Sequence, residues 1–420
     1  MKYSVRAALR AVPALLATSL LAAAPAQAAD PIKVGMSLAL TGTGAPAGKM
    51  LQAAIDIWRD DVNAKGGLLG RPVEVIVYDD QSNPASVPGL YTKLISVDKA
   101  DLLLGPYGTN FVAPAMPTII QNKRMVISYT AIGINDQYHY DKYFSMVPVG
   151  TDGVYAFSKG FFEMAAKQSP QPKTVAIIAA DAEFAQAAAH GARVELKKHG
   201  MKLIYDKSYP PSTTDFTPVM RAVQAANADI VYAGAYPADS VGLVRAAHEI
   251  GLNPKMFGGA LIGQLVTPIK ANLGPIQNGI VITESFVPSP KMNFPGLDDL
   301  MKRYQAKAAE LKTDPIGYAF VPFGYTNGQI LEQAVTATKS LDSEVLAKYL
   351  HSHSFKTVVG EISFGKDGEW SKPRMVLTQF QNVEPNNVNQ FKSGEKQPIL
   401  WPPEYANGKM IYPYGDARKK

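Results

Sequence analysis

Ile32-Lys33-Val34-Gly35-Met36-Ser37-Leu38-Ala39-Leu40, then Ala45–Lys65, the pair Gly66-Gly67 and Val73–Asp79: the reading of this run decides the fold. The first and last pieces are short and β-branched, and the middle piece has the period of an amphipathic helix closed by glycines. Strand, helix, strand is one parallel crossover unit. The unit recurs downstream: helix Pro84–Val97, strand Asp101–Leu104, helix Phe111–Gln121, strand Arg124–Thr130. Strands this continuous in Val, Ile and Leu predict a parallel sheet covered on both faces, and right-handed crossovers make it a doubly wound α/β lobe.

The rhythm restarts after Tyr143–Gly150. Helix Val154–Lys167 leads to strand Thr174–Ala180, helix Ala182–His199 to Lys202–Tyr209, helix Phe216–Ala226 to Asp229–Ala235, and helix Ser240–Ile250 to Lys255–Gly258. That is a second lobe of similar size. Beyond it, Gly279–Phe286 reads as a strand, and Leu297–Leu311, Tyr325–Ser340 and Asp342–His351 as helices. Strands Gly360–Phe364 and Arg374–Phe380 flank Gly365-Lys366-Asp367-Gly368, which has the chemistry of a hairpin turn. Pro398–Tyr414 reads as an irregular surface tail.

Residues 1–28 read as a cleaved export signal. Lys2, Arg6 and Arg10 precede an apolar stretch, and Ala26-Gln27-Ala28 has the small-x-small form of a cleavage site. The stretch is too short for a bilayer span of about 20 apolar residues. The expectation is a periplasmic protein beginning at Ala29. With no cysteine in the chain, a lipid-anchored N-terminus, disulfides and thiolate chemistry are not expected. The formal charge of +6 includes the three cations of the leader, so the mature chain is nearly balanced and has no nucleic-acid signature.

Four segments together resemble the leucine/isoleucine/valine-binding proteins, the type I periplasmic solute-binding proteins of ABC importers. They are Ile32-Lys33-Val34-Gly35 with Leu40-Thr41-Gly42 and Gly48; Asp61-Val62-Asn63-Ala64-Lys65-Gly66-Gly67-Leu68-Leu69-Gly70-Arg71 with Tyr78-Asp79-Asp80; Leu104-Gly105-Pro106-Tyr107; and Tyr232-Ala233-Gly234-Ala235-Tyr236 with Gly251-Leu252. The resemblance implies two doubly wound parallel-sheet lobes joined by a three-crossover hinge, with crossovers near Phe144–Gly150, Ile282–Val287 and Val358–Ile362. Lobe one is then 30–147 plus 284–358, and lobe two 148–283 plus 359–420. It implies capture of a small solute by lobe closure and delivery to a membrane permease, without catalysis, by a protein expected to be monomeric.

The resemblance also assigns the cleft. Thr109 takes the place of a hydroxyl that meets the ligand carboxylate, with Asn110 a second donor; both also read as helix N-caps. Tyr129, Thr130 and Ile132 fall in a loop that holds amino-acid ligands, with Ile132 standing where the family has Thr. Phe184 replaces one cleft Tyr, and Tyr236 matches another. Tyr107, Tyr129, Phe184 and Tyr236 offer stacking surfaces. Ala260 stands where amino-acid binders place a Glu for the α-ammonium, and a buried ammonium without a partner is costly. The expected ligand is therefore an apolar or aromatic carboxylic acid with no α-amino group, unless Asp239, Asp181 or Glu284 supplies a displaced carboxylate. The alternatives are a branched-chain or other hydrophobic amino-acid binder, a sensor of the same fold, and a secreted α/β enzyme.

Other motifs carry no chemistry. In Thr41–Gly48 the third glycine falls one residue late for a dinucleotide loop, so no cofactor is expected. Asp79 and Asp80 are neighbours on a strand end and point apart, so they are expected to cap or bind loop backbone. His351 and His353 have no third metal ligand near in sequence, and no G-x-S-x-G elbow occurs.

Overall fold

In a computed structural model, Met1, 30–129, 131–151 and 153–419 are described. The expected leader and Thr130 lie outside these residues.

Two sheets organise the chain. The first contains β1 (Ile32–Leu38), β2 (Val73–Asp79), β3 (Leu102–Leu104), β4 (Val126–Ser128) and β5 (Tyr143–Ser145), in the order β2-β1-β3-β4-β5, all parallel. The second begins with β6 (Thr174–Ala180), β7 (Lys202–Tyr209), β8 (Ile230–Ala235), β9 (Met256–Leu261) and β10 (Val281–Glu284), parallel in the order β7-β6-β8-β9-β10. A hairpin of β11 (Ser354–Thr357) and β12 (Gly360–Ser363) stands apart. Last come β13 (Val376–Gln379) and β14 (Ile399–Trp401), added antiparallel to β10 at the edge of the second sheet.

Alternate residues of the first sheet enter different cores, as its apolar strands require. Leu102, Leu104 and Ile127 join helices Ala45–Ala64 and Val321–Thr338 on one face. Leu103, Val126 and Tyr143 join helices Val87–Ser96 and Thr109–Gln121 on the other. Trp58, Phe323 and Leu331 are fully enclosed in the first of these. Asp61 fastens that layer: Arg303 holds both its carboxylate oxygens at 2.6 and 2.9 Å, and the Tyr325 hydroxyl donates at 2.7 Å.

Two expectations near the C-terminus need correction. Gly360–Phe364 and Arg374–Phe380 do not form one hairpin. The turn itself is made, with Gly365 N–H on the Glu369 oxygen at 2.7 Å, but it closes only a Phe364–Trp370 bridge. The strands on either side take other partners, Ser354–Thr357 for one and β10 for the other. Likewise Pro398–Tyr414 is not wholly irregular: β14 pairs with β13, and Ile399 is fully buried. Three residues of strand are too few for a periodic signal.

The turn also buries a carboxyl group. Glu369 is 6% exposed, its Oε2 has no partner among the described residues, and burial raises its pKa to about 8. A folded-state pKa above the unfolded value means the native state holds the extra proton between about pH 4.5 and 8. Stability from this group is therefore full below that window and is lost as pH rises through it. Glu369→Gln should flatten the fall, so that the variant melts above the parent at pH 8 and close to it at pH 4.5. Parallel melting curves at both pH values would contradict this.

Candidate functional site

A cavity of about 450 Å³ opens where the carboxyl ends of the parallel strands of both sheets converge. That volume lies in the range of small-molecule sites, roughly 300–1,000 Å³, and the place is where open α/β sheets bind ligands.

On the first sheet, β3 runs into Gly105–Asn110. Gly108 sits at φ +95°, a conformation that favours glycine, and turns the chain into helix Thr109–Gln121. Thr109 and Asn110 are thus the first two helical residues, and neither is the cap; Gly108 is. The Thr109 Oγ1 accepts the Ile132 main-chain N–H at 3.2 Å. It lines the cavity beside main-chain amides of the helix start, which carry partial positive charge. Tyr107 and Tyr129 each meet Phe320 edge-on, at 5.8 and 5.9 Å between centroids, and Tyr129 stacks on Phe323 at 4.4 Å. The Tyr129 hydroxyl donates to the Ala319 carbonyl at 2.6 Å. Burial pushes the Tyr107 and Tyr129 hydroxyls well above their ordinary pKa, so both stay protonated.

On the second sheet, Ala182 and Phe184 follow β6, and Tyr236–Asp239 follow β8 at the start of helix Pro237–Glu249. Phe157 and Phe184 meet edge-on at 5.3 Å, and Phe184 and Tyr236 at 6.0 Å. The Tyr236 hydroxyl accepts the Phe184 N–H at 3.3 Å and donates to the Asn110 Oδ1 at 3.4 Å, which ties the second wall to the first. Among the described lining residues Asp239 is the one carboxylate, and no Lys, Arg or His is present.

Of the residues expected from the sequence, Tyr107, Thr109, Asn110, Tyr129, Ile132, Phe184 and Tyr236 line this cavity. Ala260 does not. It is fully buried in β9, packed with Ile132, Phe157 and Phe184 behind the wall, and Ile262 and Leu265 reach the cavity instead. Of the three proposed carboxylates, Asp239 lines the cavity. Asp181 is exposed outside it, and Glu284 is buried elsewhere with Lys270 at 3.3 Å. The sequence reading missed Phe157, Phe320, Met375, Thr283 and Ser285. Only Thr283 and Ser285 left a signal, two polar residues two apart in the run Gly279–Phe286 that reads as a strand, a spacing that shares a face.

The glycine loop after β1 has amides engaged within the protein. Asp79 accepts from the Leu40 and Thr41 N–H groups at 3.0 and 3.2 Å, and Ser82 Oγ from Gly44 at 3.0 Å. Thr43 and Gly44 merely edge the cavity. His351 faces the Asp141 and Gly365 carbonyls, and His353 stacks on Tyr349 at 3.9 Å. Among the described residues no cluster of three or more His, Asp or Glu could hold a metal, and no helix is long and apolar enough to cross a membrane.

Two doubly wound sheets place a ligand-sized cavity at their strand ends, an architecture suited to holding a small solute. The chain belongs to the periplasmic binding protein family, whose model matches residues 31–384. An amino acid binding protein of Pseudomonas aeruginosa is 24% identical over 367 residues, covering 84% of this chain and 90% of its own. The branched-chain amino acid transporter substrate-binding protein of Streptococcus pneumoniae, solved with isoleucine, superposes with a TM-score of 0.71 at 18% identity, over 89% of this chain and 100% of its own. An ABC transporter solute-binding protein of R. palustris, solved with benzoate, gives 0.72 at 18% identity over 88% and 95%.

Proposed function

We propose that this protein is the extracytoplasmic receptor of an ABC importer and captures a small carboxylic acid with an apolar or aromatic body. Its leader, residues 1–28, directs it to the periplasm. Lobes 30–147 plus 284–358 and 148–283 plus 359–420 close on the solute and present the closed form to a membrane permease. The ligand must bind the closed state better than the open one, since differential affinity is what shifts such an equilibrium.

One observation carries the reading of the ligand. The Thr109 hydroxyl, which accepts the Ile132 N–H, lines the same cavity as the rings of Phe157, Phe184, Phe320, Tyr107 and Tyr129. A hydroxyl and helix-terminal amides suit a carboxylate, and the rings suit a flat apolar body. Ala260 offers nothing to an α-ammonium. The benzoate and isoleucine complexes named above bracket the choice.

A calorimetric and thermal-shift panel of aromatic acids, branched-chain amino acids and aromatic amides tests this. An aromatic acid present at a hundred times its Kd should stabilise the protein by about 2.7 kcal/mol and bind more tightly than leucine. Leucine as the tightest ligand would overturn the assignment, and amides matching acids would remove the role of the carboxylate.

A further inference from the structure

Asp239 is out of place in a site for a simple anion. It is 7% exposed, lines the cavity from the second sheet, and has no basic residue near it among the described lining. Burial raises its pKa above the ordinary carboxylate range, while the Tyr209 hydroxyl, donating to Oδ2 at 3.2 Å, and the main-chain amide of Tyr236 favour its ionised form. Tyr209 stands behind it, 3% exposed and outside the lining, and anchors the group. Capping the first turn of helix Pro237–Glu249 explains an acid at this position, but not the acceptor capacity left over. An ionised carboxylate has about four lone-pair sites; these two contacts and the one from its own main-chain amide fill three. Once the cavity closes and water leaves, the remaining capacity is costly unless the solute supplies a donor.

We propose that Asp239 is a specificity residue that selects acids carrying a hydrogen-bond donor, N–H or O–H, at the end remote from their carboxylate. This rests on the carboxylic-acid reading above and deepens it. The carboxylate goes to the Thr109 wall on the first sheet and the donor to the Asp239 wall on the second, with the rings between. The two charged ends of such a ligand are kept apart, so Asp239 and the bound carboxylate do not repel at contact distance. The donor is not the α-ammonium of an amino acid, because an α-ammonium lies beside the carboxylate. The cavity, at about 450 Å³, has room for groups at both ends of a single ring.

The test is calorimetry of benzoate, 4-hydroxybenzoate, 4-(aminomethyl)benzoate and leucine on the parent, Asp239→Asn and Asp239→Ala. At least one donor-bearing acid should bind the parent about tenfold or more tighter than benzoate. That advantage should fall below about threefold in Asp239→Ala. Asp239→Asn keeps a carbonyl oxygen and the same shape, so it serves if the alanine variant does not fold; a phenol should keep part of its advantage there and an ammonium should lose all of it. The phenol and ammonium arms thereby identify the donor. Benzoate binding the parent as tightly as both substituted acids, or an advantage unchanged in the variants, overturns the proposal while the carboxylic-acid reading stands. Failure of every acid, or leucine binding most tightly, overturns both.

Discussion

Thr109→Val should weaken binding of the acid by about tenfold to a hundredfold, the equivalent of roughly 1.5–3 kcal/mol for a hydrogen bond to a charged group. The substitution removes a hydroxyl of the first wall whose oxygen accepts the Ile132 N–H at 3.2 Å. It also leaves that buried amide without its partner. Valine fills nearly the same volume, and residue 109 is 7% exposed within the first turn of a helix, so the wall itself persists. Thr109→Ser keeps the hydroxyl and should recover most of the affinity. Titration calorimetry on the three proteins decides the matter. Equal affinity in Thr109→Val and the parent would mean the carboxylate sits elsewhere.

Gly258→Ala should cost about 4 kcal/mol or more, at the far end of single-substitution effects. Gly258 pairs with Val281 in the centre of the second sheet. A Cβ there would lie 1.7 Å from the Val281 carbonyl oxygen and 2.7 Å from its carbon. Both atoms are backbone in a neighbouring strand, so no side-chain rotation relieves the overlap and the β9–β10 pairing must open. β10 carries Thr283 into the cavity, with Ser285 just beyond its end, so ligand binding should fail together with stability. Circular dichroism melts and folded yield are the readout. A variant that melts like the parent would contradict the register described for these strands.

The fold was legible because its strands are fully enclosed. Val34, Met36 and Leu38 meet one core while Leu103 and Val126 meet another, and that two-sided burial shows in sequence as unbroken apolar runs. The edge of the second sheet was not legible. Ile399–Trp401 becomes a strand only because β13 offers an unpaired edge, a cause located about twenty residues upstream. Gly365–Gly368 announced a turn correctly, yet turn chemistry says nothing about which longer strands pair, and Ser354–Thr357 took Gly360–Ser363 first.

The site divides in the same way. The loops at Tyr107–Asn110 and around Tyr236 carry local motifs and directly follow strands, so they could be placed. Phe157 and Phe320 could not, since each precedes a helical segment and reads as core until Phe184, Tyr107 and Tyr129 are seen to pack against them. Ala260 shows the limit of transferring a position. The residue aligned with the resembled pattern, but its side chain lies fully buried behind the wall, and the carboxylate at the cavity comes from helix Pro237–Glu249.

The most direct measurement is a crystal structure of the protein with the tightest acid found in the binding panel. The ligand should lie between the two sheets, with its carboxylate within hydrogen-bonding distance, about 3 Å, of Thr109 Oγ1 and its body against Phe184 and Phe320. A ligand bound outside this cavity, or inside it with the carboxylate turned away from Thr109, would contradict the account.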